Sequence, residues 1–211
     1  FCGIHFFNPP RYMALVDLIT CKTTDPAILD PLETFLVSTL GKGVVRAKDT
    51  PNFIANRIGV FSMAATIHHT QAFGLSLDLV DALTGPAIGR PKSATFRTAD
   101  VVGLDTMGHV FKGSALALRD DPWRQYFNPP AWLNALIEKG ALGQKTKVGI
   151  YANKGKQVLD TATGEYRDAG AKPDAAVQAL LKIRNPAEKI AALRASDHPQ
   201  AQFLWAIQRD V

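Results

Sequence analysis

The sequence is poor in cysteine and has neither a long apolar run nor a leader-like segment. Its 211 residues include two cysteines, Cys2 and Cys21, which are not in CxxC spacing and are expected to be free thiols in a reducing cytosol. No stretch approaches the roughly 18 consecutive apolar residues of a membrane-spanning helix, and no charged-then-apolar segment opens the chain. We therefore predict a cytoplasmic protein with no membrane span.

Several catalytic and binding motifs are absent as well. There is no G-x-S-x-G nucleophile motif, and neither cysteine lies in a cysteine-nucleophile motif. Lysine and arginine are scattered rather than massed among aromatic residues, which argues against nucleic acid as a partner. His68 and His69 are adjacent in a predicted helix, so they cannot share a metal ion as an i, i+4 pair would. No metal site is predicted.

The composition is that of a globular protein with a sizeable core. Apolar residues make up 46% of the chain and charged residues 20%. The length fits one large domain or one and a half small ones. The net charge of +5 has two interpretations, which are ordinary surface charge or the attraction of an anionic ligand such as a phosphate-bearing cofactor.

The start of the chain has the pattern of the end of an α/β domain. Apolar runs rich in β-forming residues predict strands at 3–7 and 14–19, and a third short strand at 44–45. Between the second and third strands, Asp-Pro at 25–26 begins a helix that Gly41 ends. Strand, strand, helix, strand is typical of the tail of an α/β domain.

The pattern then changes to helices. An apolar stripe at spacings of three and four indicates a long amphipathic helix, with the residues Ile54, Ile58, Phe61 and Ala65. No convincing strand is found between 50 and 140. We predict an all-α module of about five helices, at 50–72, 76–85, 92–102, 105–118 and 130–138.

The remaining residues predict a β-hairpin followed by three helices. Residues 149–166 alternate in polarity and contain N-K-G and T-G turn signals. The helices are expected at 174–183, 186–195 and 198–211. The chain begins inside a strand and stops in a helix without a Gly or Pro stop signal, so we expect it to be part of a longer protein.

Two polar residues lie inside predicted apolar strands, His5 in the first and Asp17 in the second. If the intervening segment turns the chain back, position 5 faces position 17, and opposed Cβ atoms are about 4.5–5.5 Å apart. A carboxylate there would accept a hydrogen bond from one imidazole nitrogen, stabilise the imidazolium and leave the other nitrogen to act as a base. The alternative is a purely structural buried pair.

A third polar residue, Asn56, lies near the predicted beginning of the long helix. Its amide could polarise a ligand carbonyl with help from the positive end of the helix dipole. It could equally form a hydrogen bond to a neighbouring loop.

Five blocks, in order, resemble the 3-hydroxyacyl-CoA dehydrogenase family. The family patterns are G-x-H-F-F-N-P, an acidic residue in L-V-E-V, K-D-T-P-G-F-I-x-N-R, G-x-P with A-D-x-x-G-L-D, and G-x-K-T-G-x-G-F-Y. The matching residues are 3–10, 13–17, 48–57, 89–91 with 99–105, and 143–151. Any single block would be weak, but five in the same order are specific.

The resemblance implies an NAD-dependent oxidation of 3-hydroxyacyl-CoA to 3-oxoacyl-CoA in fatty-acid β-oxidation. The family's general base would be His5, its acidic partner Asp17 and its substrate-contacting asparagine Asn56. The chain has no G-x-G-x-x-G fingerprint, so the NAD-binding loop and a catalytic serine are expected upstream, and no cofactor-binding residue is identified. Acyl-CoA is the expected substrate, and a homo-oligomer, in the simplest case a dimer, is expected.

This resemblance implies a mainly α fold, in which an all-helical C-terminal dehydrogenase domain follows the last strands of a truncated Rossmann-like domain. The predicted divisions are 1–48 for the remnant of the NAD-binding domain, 49–152 for the helical substrate and dimerisation domain, and 153–211 for the β-hairpin and the start of a second helical repeat. Such repeats occur in longer multifunctional enzymes of this family, which also carry an enoyl-CoA hydratase module. The alternative function is that of an inactive dimerisation or CoA-binding module when the chain is isolated.

Three residues depart from the family pattern. Asp17 replaces the usual glutamate, and with one methylene fewer it is expected to be farther from His5, bridged by water or repacked. Asn52 replaces a glycine, with no expected effect on catalysis. Lys147 replaces the first glycine of T-G-x-G, which puts the geometry of that loop in doubt rather than the chemistry.

Overall fold

A computed structural model describes residues 1–211 and divides them into two compact units, Phe1–Gly59 and Val60–Val211. The chain is mainly helical and contains two three-stranded sheets, one in each unit. No helix is both long enough and apolar enough to cross a membrane. The prediction of a mainly helical chain with a small amount of sheet is confirmed.

The first unit is built on a sheet with the strand order β1-β2-β3. These strands are Gly3–Phe6, Leu15–Thr20 and Gly43–Lys48. β1 runs antiparallel to β2, whereas β2 and β3 are parallel and are connected through helix α1, Leu29–Ser38. The predicted order of strand, strand, helix, strand is confirmed, and the central strand β2 is the most deeply buried of the three.

The beginning and end of α1 follow from the predicted local signals. The Asp25 carboxylate accepts a hydrogen bond from the Ala27 N–H at 2.9 Å, and the 3₁₀ turn Pro26–Ile28 leads into the helix. After the helix, Gly41 adopts a φ of +65° and its N–H donates to the Val37 carbonyl at 3.1 Å. This left-handed position is one that glycine occupies without steric cost.

Helices make up most of the second unit. Helix α2, Ala55–Ala72, contains the division between the units, and it is followed by α3 Leu77–Leu83, α4 Phe96–Val102, α5 Leu104–Ala117 and α6 Ala131–Glu138. An antiparallel sheet of β4 Tyr151–Ala152, β5 Gln157–Leu159 and β6 Tyr166–Asp168 comes next. The chain then forms α7 Ala175–Leu181, α8 Pro186–Ala195 and α9 Pro199–Asp210. The five helices and the absence of strands between 50 and 140 are confirmed.

One apolar core fills the second unit. Its largest fully buried side chains come from α4, α5, the segment after α5, and α9, and they are Phe96, Phe111, Phe127 and Phe203. Because Phe203 belongs to the same cluster as the other three, the last helices pack with the earlier ones rather than forming a separate core.

The predicted beginnings of two helices are wrong. α2 begins at Ala55 rather than near Thr50 because Asn52 and Phe53 have φ angles of +62° and +53°, which no right-handed helix can contain. α4 begins at Phe96 rather than Lys92, since Ala94 has a φ of +52°.

The apolar stripe of α2 is buried only in its later part. Ala65 is fully buried and Phe61 partly buried, whereas Ile54 and Ile58 are 39% and 55% exposed. The stripe therefore contributes to the core from its middle onwards, whereas Ile54, directly before α2, and Ile58 in its first turn are at the surface.

Candidate active site

His5 on β1 and Asp17 on β2 are directly opposed across an antiparallel pair. The next pair along the same register is Phe6 with Val16. This is the pairing predicted from the turn between the two strands, and that prediction is confirmed. His5 is half-buried and Asp17 is fully buried, so a titratable group lies in the interior of the sheet beside a partly accessible imidazole.

The expected hydrogen bond between these two side chains is not present. Both carboxylate oxygens of Asp17 are buried and have no hydrogen-bond partner in the protein. Burial raises the pKa of Asp17, and the nearby His5 charge partly opposes that rise. The hydrogen bond expected from the opposed strand positions is absent, which agrees with the expectation that an aspartate, one methylene shorter than the family's glutamate, lies farther from His5.

Asn56 is the second residue of α2, and its amide lies close to His5. The Asn56 Nδ2 atom is 3.2 Å from the His5 Nε2 atom. With the amide as donor, Nε2 is the acceptor, so the neutral imidazole carries its proton on Nδ1. The fold of the first unit thus brings together the base and the amide donor that the sequence singled out separately.

Two phenylalanines pack against the imidazole and restrict its orientation. The Phe7 ring lies edge-on at a centroid distance of 4.9 Å, and the Phe53 ring is tilted at 5.6 Å. Sequence reasoning did not assign either a place in the site. The signal for Phe53 was its position in the K-D-T-P-N-F block, where the left-handed turn at 52–53 precedes α2.

Two family models match this chain. The model described as "3-hydroxyacyl-CoA dehydrogenase, NAD binding domain" matches residues 1–50, and the model described as "3-hydroxyacyl-CoA dehydrogenase, C-terminal domain" matches residues 53–153. The chain belongs to the 3-hydroxyacyl-CoA dehydrogenase family. The resemblance based on the five sequence blocks is confirmed, and the first description supports NAD as the cofactor. The roles of His5, Asp17 and Asn56 stay predictions.

Relatives of this dehydrogenase-family chain include two curated bacterial proteins. A "Probable 3-hydroxyacyl-CoA dehydrogenase" of Bacillus subtilis is 44% identical over 209 residues, which is 98% of this chain and 26% of that protein. A "Putative fatty acid oxidation complex trifunctional enzyme" of Rickettsia prowazekii is 35% identical over 161 residues, covering 74% of this chain and 22% of that protein. The chain therefore spans about a quarter of the length of these relatives.

A solved structure has a similar fold. The crystal structure of (S)-3-hydroxybutyryl-CoA dehydrogenase from Ralstonia eutropha matches with a TM-score of 0.62 and 30% identity. The match covers 72% of this chain and 51% of that one.

The dehydrogenase-family blocks in the second unit form structural ties. Asp100 accepts hydrogen bonds from the backbone N–H groups of Ile150 and Tyr151 at 2.8 and 2.9 Å, which joins α4 to β4. Asp105 forms an ion pair with Lys145 at 2.6 Å. These carboxylates therefore connect two of the sequence blocks to each other.

The departures from the family glycines leave the local backbone left-handed. Asn52 and Lys147 have φ angles of +62° and +63°. Asparagine tolerates this region better than most residues, whereas lysine has no such advantage. The loop at Lys147 thus keeps the left-handed conformation that glycine would adopt. The change from glycine is accommodated by local backbone strain and not by a different loop geometry.

The neighbouring histidines of α2 have structural partners within the second unit. The His69 Nε2 atom is 2.7 Å from the Asp210 carboxylate, which also accepts a hydrogen bond from the Tyr126 hydroxyl at 3.1 Å. The His68 ring stacks on Tyr126 at 4.0 Å. The His69 contact connects α2 to α9, and the His68 contact connects α2 to the segment after α5.

Proposed function

We propose that this chain supplies the general base of an enzyme that oxidises a 3-hydroxyacyl-CoA to the 3-oxoacyl-CoA with NAD in fatty-acid β-oxidation. The observation that carries the proposal is the 3.2 Å approach of the Asn56 amide to the His5 imidazole. Asp17 opposite His5 and the membership of the family support it. A base and a hydrogen-bond donor are in contact, and a buried acid faces the base on the neighbouring strand.

The residues present fit the reacting end of this chemistry but not the phosphates of a dinucleotide. The Gly41-Lys42-Gly43 segment follows α1 and leads into β3, whereas a pyrophosphate site precedes the beginning of a helix. We assign no NAD-binding residue in this chain and propose that NAD is held mainly by segments outside these 211 residues.

His5 removes the proton of the 3-hydroxyl group in the proposed reaction. The substrate hydroxyl takes the place of the Asn56 amide at Nε2, so that the O–H bond breaks, its proton passes to Nε2 and the imidazolium forms. When NAD is bound, it supplies the acceptor for the hydride that leaves C3. Asn56 donates to the same substrate oxygen and stabilises its developing negative charge, helped by the positive end of α2. Asp17, opposite His5 in the strand register, is proposed as the acidic partner of the base.

We also propose that residues 1–48 are the last strands of a truncated Rossmann-like NAD-binding domain and 49–152 a helical substrate and dimerisation domain. The ranges of the two family models support these divisions. Residues 153–211 would begin a second helical repeat, and the burial of Phe203 in the shared core indicates that they unfold together with the helices before them.

The test of the catalytic proposal is His5→Gln in the full-length protein. Glutamine keeps the size and hydrogen-bonding capacity of the side chain but cannot take a proton at neutral pH. We expect kcat to fall by about 10²–10⁴-fold while the circular dichroism spectrum is unchanged. Turnover within twofold of the wild type would contradict the role of His5.

A second function is favoured by exposed apolar side chains at the beginning of α2. Ile54, directly before α2, is 39% exposed, and Ile58 in its first turn is 55% exposed. As an isolated chain, the protein would be an inactive module that self-associates and contacts CoA. Sedimentation at micromolar concentration should give a dimer, and a clean monomer would contradict the assembly.

A further inference from the structure

A cavity of about 650 Å³ lies wholly within the second unit and has no part in the proposed reaction. Its lining comes from α4, the loop before β4 and the turn after β4. The lining includes Arg97, Asp100, Lys147, Tyr151, Lys154 and Gly155. The volume is within the usual range of small-molecule sites, about 300–1,000 Å³.

The charge of this lining is positive and largely uncompensated. Lys147 and Lys154 are exposed, and neither forms an ion pair or hydrogen bond through its side chain. Arg97 stacks over the Tyr151 ring, with its Cζ atom 3.9 Å from the ring centroid. The one acid, Asp100, already accepts hydrogen bonds from two backbone N–H groups. An anion entering the cavity therefore meets three cations and a carboxylate that is already engaged.

Two of the three cationic residues, Lys147 and Lys154, have an unfavourable backbone conformation. Lys147 has a φ of +63° and Lys154 a φ of +57°, a region that non-glycine residues avoid because Cβ approaches a carbonyl oxygen. The family pattern has glycine where Lys147 stands. Strained residues of this kind cluster at ligand sites, where the surrounding structure holds them in place.

We propose that this cavity binds a phosphate-bearing small molecule. Lys147 and Lys154 contact the phosphate, since an ammonium group supplies several charge-assisted hydrogen bonds to phosphate oxygens. The Arg97 guanidinium provides a flat surface on which a ring of the ligand, such as a nucleotide base, stacks. Both a nucleotide and free phosphate carry the group that this chemistry recognises.

Calorimetric titration of the 211-residue chain with AMP, inorganic phosphate and adenosine tests the proposal. We expect AMP and phosphate to bind, with affinities that weaken as salt is added, and adenosine to give no heat. Tighter binding of AMP than of phosphate assigns a nucleotide, and equal binding assigns free phosphate. Absence of binding by both anions at millimolar concentration, or equal binding of adenosine, overturns the proposal.

Substitutions of three lysines locate the binding in this cavity. Lys147→Gln and Lys154→Gln should each weaken AMP binding about tenfold, whereas Lys156→Gln, an exposed lysine outside the lining, should have no effect. Lys147→Gly removes a cation and also relieves the backbone strain at this position. This variant should therefore bind AMP more weakly than the wild type, without a lower melting temperature. Wild-type affinity in the Lys147→Gln, Lys154→Gln double variant overturns the site.

Discussion

His5 and Asp17 face each other across β1 and β2, yet neither oxygen of the Asp17 carboxylate receives a hydrogen bond from the imidazole. The two groups therefore interact through space rather than through a shared proton. The imidazole is instead hydrogen-bonded to Asn56, whose amide nitrogen lies 3.2 Å from the His5 Nε2 atom. The missing methylene of Asp17, compared with the family's glutamate, accounts for this arrangement.

Asp17→Glu should restore a direct contact to the imidazole. The longer carboxylate is expected to accept a hydrogen bond from His5 and to hold the imidazolium form more strongly. Because the base must be neutral to accept a proton, the acidic limb of the kcat/KM profile of the full-length enzyme should move to higher pH. An unshifted limb, with the fold intact, would show that the extra methylene does not bring the groups together.

Asp17→Asn should stabilise the protein at neutral pH. Burial raises the pKa of Asp17 in the folded protein above its value in the unfolded chain. The stability that this raised pKa contributes is therefore fully present below the unfolded pKa, and it is lost as the pH rises through the folded pKa. Asparagine does not titrate, and we expect the free energy of unfolding at pH 7 to rise by about 1 kcal/mol. Urea denaturation should show the gain shrinking toward pH 3. A less stable variant at pH 7 would indicate a partner for the carboxylate.

The sequence predicts which side chains of this site meet, but not how they meet. Counting residues through the turn places His5 opposite Asp17, because antiparallel pairing preserves the sum of the two positions. Asn56, 3.2 Å from His5, follows a left-handed turn at Asn52 and Phe53 that contains no glycine. Such a turn is visible only in three dimensions.

The beginning of α4 was missed for a related reason. The Asp81 carboxylate on α3 accepts hydrogen bonds from the N–H groups of Thr95, Phe96 and Arg97, at 3.0, 2.6 and 3.0 Å. The helix is thus capped by a residue about fifteen positions away, and local capping rules search only the adjacent residues. By contrast, the 3₁₀ turn that leads into α1 is capped locally by Asp25, and local rules predict where it begins.

Lys147→Gly should raise the free energy of unfolding by about 0.5 kcal/mol, because the relief of the left-handed backbone outweighs the added entropy of the unfolded chain. Lys139→Gly is the matched control. Lys139 has a φ of −75° at the end of α6, so glycine there should lower stability by about 0.5 kcal/mol. Chemical denaturation of both variants measures the difference, and a loss of stability in both would mean that the left-handed conformation is not strained.

Asp78 connects α3 to the segment after β6. Its side chain is 5% exposed and forms an ion pair with Arg167 at 2.7 Å. It also accepts hydrogen bonds from the N–H groups of Gly170 and Ala171, at 3.0 and 2.9 Å. Burial alone would raise the pKa of Asp78, but the bonds from Arg167 and the two N–H groups outweigh it and hold the pKa well below its usual range.

This depressed pKa predicts the direction of acid sensitivity. The stabilisation from Asp78 is fully present above the unfolded pKa of about 4 and is lost as pH falls through the lower folded pKa. Asp78→Asn should lower the free energy of unfolding at pH 7 by about 2 kcal/mol, since Arg167 and two N–H groups lose a charged acceptor. The deficit should narrow in denaturation curves below pH 3. The control is Asp105→Asn, which removes the exposed ion pair with Lys145 and should change the free energy of unfolding far less. Equal losses of stability in the two variants would mean that the Asp78 contacts do not owe their strength to the burial of the carboxylate.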